Sequence, residues 1–181
     1  MRRINWDNVQ EAQDFARPVP GGYVARIKNV EDHEEKEYLR IEWDFVDKPY
    51  EGSNLSAFDR LGFWPLSFVR SYKEKSLSFF KAFKTQLEAS NPGFHFREDD
   101  LASLRGKLIG VVLGEEEYIG NGGAKKTRLT VRQTRSVDAI RRGDFTVPAL
   151  KPLKSAPASE PASFPSFGGF SPMEDDGELP F

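Results

Sequence analysis

Between residues 125 and 135 the chain reads Lys-Lys-Thr-Arg-Leu-Thr-Val-Arg-Gln-Thr-Arg, a cationic run in which guanidinium and hydroxyl groups recur at every second position. Period two is that of a strand, so Arg128, Thr130, Arg132 and Thr134 are expected on one face, with Lys125 and Lys126 leading into it and Arg135 at its end. Such a row can hold successive phosphates of a polyanion, although lysines also serve to protect an exposed sheet edge. Earlier segments add to the set. Arg26 and Lys28 share the wetter face of residues 23–30, Tyr38 and Arg40 that of residues 38–46, and Arg60, Phe63 and Trp64 contribute a cation and two more rings. Cations that follow a backbone, mixed with rings that stack on bases, suit a single-stranded nucleic acid.

A second chemistry stands at the other end of the charge scale. Residues 174–181 read Glu-Asp-Asp-Gly-Glu-Leu-Pro-Phe. Phe181 is an apolar anchor, Pro180 limits the freedom lost on docking, and Asp175, Asp176 and Glu178 suit a basic rim on a partner, with Leu179 beside them. A solubilising tail is the competing reading.

Catalytic chemistry finds little support. With no cysteine, disulfides, thiolate metal sites and cysteine nucleophiles are excluded. His33 lies in a charged segment and His95 between two phenylalanines, neither in the spacing of a metal site or a triad. Residues 120–127 look superficially like a phosphate loop, but the Gly-Lys-Ser/Thr order is missing and a strand follows. A hairpin turn fits better. Asp99 and Asp100 fit a helix cap better than a cation site. The expectation is a non-enzyme without cofactor.

These side chains need elements to carry them, and 181 residues allow one cored domain with an appendage. Residues 1–18 are expected to be an N-terminal arm with Trp6 and Phe15 as anchors, and residues 19–147 the folded body. Within it, residues 23–30 and 38–46 alternate as a hairpin, and residues 56–64 are expected as an irregular third strand. A helical turn is expected over 67–72, and then a helix from Ser76 to Asn91, carried by Phe79, Phe83 and Leu87 at four-residue spacing. A buried strand over 106–118 and the turn 120–123 lead into the cationic strand. Three strands, a helix and two strands make a five-stranded OB-type barrel with a helical insertion between strands three and four. An α+β sandwich is the alternative.

After residue 147 prolines recur among Ala, Ser, Gly and Phe, so residues 148–173 are expected to be a disordered linker to the tip at 174–181. The formal charge of −2 is uneven: residues 151–181 hold two lysines against five carboxylates, while the rest hold 24 basic and 23 acidic side chains. No apolar run is long enough to span a membrane and no signal segment opens the chain, so a cytoplasmic protein is expected.

The tail Asp175-Asp176-Gly177-Glu178-Leu179-Pro180-Phe181, reached through a Pro/Gly/Ser-rich linker, resembles the acidic tip of bacterial single-stranded DNA-binding proteins. The body is similar to divergent members from phages and conjugative elements, in runs such as Gly21-Gly22-Tyr23-Val24-Ala25-Arg26-Ile27 and Tyr38-Leu39-Arg40-Ile41-Glu42-Trp43-Asp44. The resemblance implies an OB fold that coats single-stranded DNA in replication, recombination or repair and recruits partner proteins by placing Pro180 and Phe181 in an apolar pocket; self-association is expected as well. An adaptor that docks on host replication proteins without binding DNA is the alternative function.

Overall fold

The computed structural model describes residues 17–120 and 122–153. Most of the N-terminal arm, the linker beyond residue 153 and the acidic tip, with Asp175, Asp176, Glu178, Leu179, Pro180 and Phe181, lie outside the described residues. The element order is β1 (Gly21–His33), β2 (Tyr38–Phe45), α1 (Ser53–Leu61), β3 (Phe68–Ser71), α2 (Leu77–Ser90), β4 (Leu108–Ile119), β5 (Lys125–Arg135) and α3 (Val137–Arg142). All five strands join one antiparallel sheet in the order β3-β2-β1-β4-β5. That is an OB-like β-rich arrangement with helices between strands, as the alternation predicts. The sheet is not a closed barrel, because β3 and β5 remain its two edges.

One face of the sheet holds the main core. Ile27, Ile41, Trp43, Ile109, Val111 and Leu113 meet Phe83 and Leu87 of α2, all without solvent exposure. Burial of this kind drives the fold, at roughly 25 cal/mol for each Å² of apolar surface removed from water. The expected helix is therefore present with Phe83 and Leu87 inward, but Phe79, the first residue of the expected four-residue spacing, is 74% exposed and faces away from the core. Asn91 ends it and ties it to β4, its side chain donating to Leu108 O at 2.8 Å and accepting from Leu108 N at 2.9 Å. Asp100, not Asp99, caps the following 3-10 turn at Leu101–Leu104; Asp99 pairs with Arg97 instead.

Two expected elements are corrected. Residues 56–64 do not form a strand: most of them belong to α1, whose first turn is held by a carboxylate from outside the segment. Asp44 Oδ1 accepts from the backbone N–H of Asn54 at 3.0 Å and of Leu55 at 3.3 Å, and positive-φ glycines at 52 and 62 bracket the helix. The third strand is instead Phe68–Ser71, where a helical turn was expected. It forms because Tyr38–Ile41 of β2 offers it an edge, with Phe68 opposite Ile41 and Arg70 opposite Leu39.

The opposite face of β1 and β4 carries a smaller core of Val24, Val112, Val137 and Ile140, joined by Phe145. Glycine permits the approach. A Cβ on Gly22 would lie 2.5 Å from the Phe145 ring, and one on Gly110 would meet Ile140 and the backbone oxygens of Arg135 and Ser136 at 2.9 Å. The chain then continues along β4: Pro148 lies over Gly114, and Lys151 pairs in parallel with Glu116, its N–H donating to Glu115 O at 2.9 Å. Residues 148–153, expected as the start of the linker, thus lie on the body.

Candidate functional site

The cationic strand forms with the expected bounds, but its row of side chains is interrupted. Opposite Val112 and Leu113 the register shifts, and Arg132 becomes the extra residue of a β-bulge. Arg128 and Thr134, expected on one face, separate: Arg128 is exposed, whereas Thr134 is 6% exposed and faces β3. A bulge shifts the alternation by one residue, and the sequence pattern has no means of announcing it.

The same strand is also less positive than its composition. The hairpin brings β4 carboxylates across to it: Lys125 Nζ lies 2.7 Å from Glu117 Oε2, Arg128 Nε donates to Glu116 Oε1 at 2.7 Å, and Arg132 Nη1 lies 3.6 Å from Glu116 Oε2. The hydrogen bond from Lys125, with a second from Leu153 N–H, holds the Glu117 carboxyl below its usual range. Lys126 is exposed near Gly120, and Arg135 donates to Thr134 O and Gln133 Oε1.

Across the sheet, Arg26 stands opposite Leu108 and Arg135 opposite Gly110, so two expected cations flank β4 two residues apart. Lys28, the extra residue of a second bulge, lies half-buried beside Arg26. Tyr38 and Arg40 sit towards the other end. Their face of β2 is not the wet surface expected: Tyr38 is 6% exposed under a stacked His33, and Asp44 and Glu42 are buried as well. The helix α1, which packs on β2, accounts for part of this cover. Arg40 keeps partial exposure with its Nε 4.0 Å from Glu42 Oε1.

Arg60 lies exposed in the last turn of α1, and Phe63 just after it is exposed. Trp64 is corrected from a free ring to a buried one, stacked on Phe58 at 4.9 Å. Trp43 is core, as its parity predicts. The structure thus divides the expected set into the hairpin cations, the Arg26/Lys28/Arg135 group, and outlying members on β2 and α1. Among the described residues no group of three or more His, Asp or Glu could hold a metal ion, and no helix is long and apolar enough to cross a membrane.

No family model matches the chain, and no curated protein matches its sequence. The site therefore stands on its own geometry, and that geometry contains one cation the sequence pattern passes over. Arg70 of β3 projects toward β5, where its Nη2 donates to Thr134 Oγ1 at 3.1 Å and its Nη1 to Val69 O at 3.0 Å. Its guanidinium carbon lies 4.8 Å from the Phe68 ring centre and 5.8 Å from that of Phe83. Burial pushes its pKa down to about 10, so the group is still charged at neutral pH. One side chain thus spans the gap that backbone pairing leaves between the two edges. The only available hint was parity: Arg70 shares the inward alternation of Phe68.

Proposed function

We propose that this chain is a non-catalytic single-stranded DNA-binding protein that coats exposed strands and recruits partner proteins through its acidic C-terminal tip. The observation that carries the reading is the conjunction of an OB-ordered sheet, bearing cations on β1 and β5, with a tip that ends in Leu179-Pro180-Phe181. Its cations, with the exposed ring of Phe63, are the mixture that single strands need. Lys126, Arg26, Lys28 and Arg135 are the first cations assigned to the phosphate backbone. Lys125, Arg128 and Arg132 join them when phosphate displaces Glu116 and Glu117. Replication, recombination or repair proteins are the proposed partners of the tip, and copies of this chain are proposed to self-associate along a strand.

The test is an electrophoretic shift with labelled oligo-dT at low salt, where salt-sensitive and weakly sequence-dependent binding is expected. Absence of binding there would sink the proposal. Deleting residues 174–181 is expected to leave DNA affinity unchanged or slightly tighter, because an acidic segment competes with DNA for cations; a large loss of affinity would contradict that competition.

The carboxylates opposite the β5 cations favour one second reading. An adaptor whose body binds protein would have no need of a free cationic track, and its tip would still capture partners. That reading predicts partner capture lost on deleting Phe181 alongside no oligonucleotide binding by the body.

A further inference from the structure

We propose that the Arg70 guanidinium, set between the free edges of β3 and β5, binds one phosphodiester of the nucleic acid. The inference rests on the reading above and deepens it by assigning a contact that the cationic pattern does not include.

Arg70 has more donors than acceptors among the described residues. A guanidinium has five N–H donors in a rigid fork. Among the described residues two of Arg70's groups have acceptors, Val69 O and Thr134 Oγ1, and both acceptors are neutral. No carboxylate of the described residues lies in ion-pair range of it, in contrast to Lys125, Arg128 and Arg132. A desolvated cation without an anion is costly to the fold, and supplying the anion removes much of that cost.

The surroundings leave the planar guanidinium N–H groups to offer to an oxyanion with two acceptor oxygens. Phe68 and Phe83 hold the guanidinium through cation–π contacts, which restrict its plane without occupying all its donors. Thr134 accepts from Arg70 through Oγ1, so its own hydroxyl proton is directed elsewhere and can serve the same anion. The residue also retains partial solvent exposure. Proximity selects the source of the anion: Thr134 lies on the strand that begins with Lys125 and Lys126 but faces away from Arg128, so a strand of DNA following β5 reaches Arg70 by turning over the β5 edge at the bulge.

The experiment compares the full-length chain with Arg70→Gln and Arg70→Lys, each checked for a cooperative thermal transition, in oligo-dT titrations across a salt series. Arg70→Gln is expected to weaken binding about 10-fold, the size of one charge-assisted hydrogen-bonding contact. It should also reduce the slope of log K against log salt by about 0.7, the value of one phosphate on a single strand, and Arg70→Lys should restore the slope. A purely structural arginine would change stability and leave the slope alone, so a folded Arg70→Gln with the wild-type slope overturns the inference. A wild-type chain that binds no oligonucleotide overturns the proposed function instead. The anion site is then decided by titrating inorganic phosphate against the Arg70 Nε–Hε NMR signal. A saturable shift of that signal supports the site, and no shift overturns it. The same titration decides the matter on wild-type protein if Arg70→Gln does not fold.

Discussion

Arg128 and Arg70 stand on the two free edges of one sheet, in opposite surroundings. Arg128 is exposed, lies against Tyr118 and shares Glu116 with Arg132, so its charge is both hydrated and paired. Arg70 is withdrawn between rings and, among the described residues, has a hydroxyl and a carbonyl as its hydrogen-bond acceptors. A pattern of basic residues therefore counts charge without reporting how much of it remains available. On β5 availability depends on the register of the hairpin, and on β3 it depends on what an incoming ligand brings.

The largest effect that bears on this contrast comes from the ring beneath Arg70. Phe83 has no solvent exposure, and Phe83→Ala is expected to cost about 3–5 kcal/mol in urea unfolding, because it empties a core site and removes one support of the guanidinium. A cost under about 1 kcal/mol would mean that α2 does not hold the β3 and β5 edges together. Next in size, Glu116→Gln should release Arg128 and Arg132 together. Oligo-dT binding is expected to tighten several-fold, and its salt slope to steepen by about 1.4, twice the value of one phosphate. An unchanged slope would show that the pairing does not mask these cations.

A pH dependence probes the far end of the β3 seam. Tyr72 follows β3 and donates to Asp32 Oδ1 at 2.9 Å; burial first, then that carboxylate, push its pKa up to about 12. A raised phenol pKa contributes stability below the unfolded value of about 10, and this contribution is lost as pH rises towards 12. Stability should therefore decline over that interval, and Tyr72→Phe should flatten the decline; ultraviolet phenolate absorbance locates the titration. The smallest effect is expected for Arg128→Ala, under about 1 kcal/mol, since exposed ion pairs contribute little. A greater loss in thermal melts would make Arg128 a structural rather than a surface cation.

Much of the sheet was legible because four of its strands announce themselves locally. Leu39, Ile41, Trp43 and Phe45 alternate, residues 108–113 run apolar, and the cationic strand keeps its bounds to the residue. The helix α2 was legible from Phe83 and Leu87 in the same way. What escaped depends on distant partners. The start of α1 is fixed by Asp44, ten residues before Asn54, and β3 is four residues long and owes its form to the β2 edge. Among the site residues, the two bulges displaced Arg132 and Lys28 from the alternation. Glu116 was different: counting back from the glycine turn places it opposite Arg128, so its neutralising position was readable from hairpin register alone.

The path of residues 148–153 along β4 also has a mechanical meaning. Lys151 exchanges backbone hydrogen bonds with Glu115 and Glu117, and Leu153 N–H donates to the Glu117 carboxylate at 3.0 Å. The segment runs parallel to β4, so tension applied along that strand through whatever follows residue 153 loads these bonds in shear, together, rather than peeling them one at a time. A partner that pulls on the C-terminal end would thus transmit its load to the β4–β5 hairpin, the element that carries the paired cations.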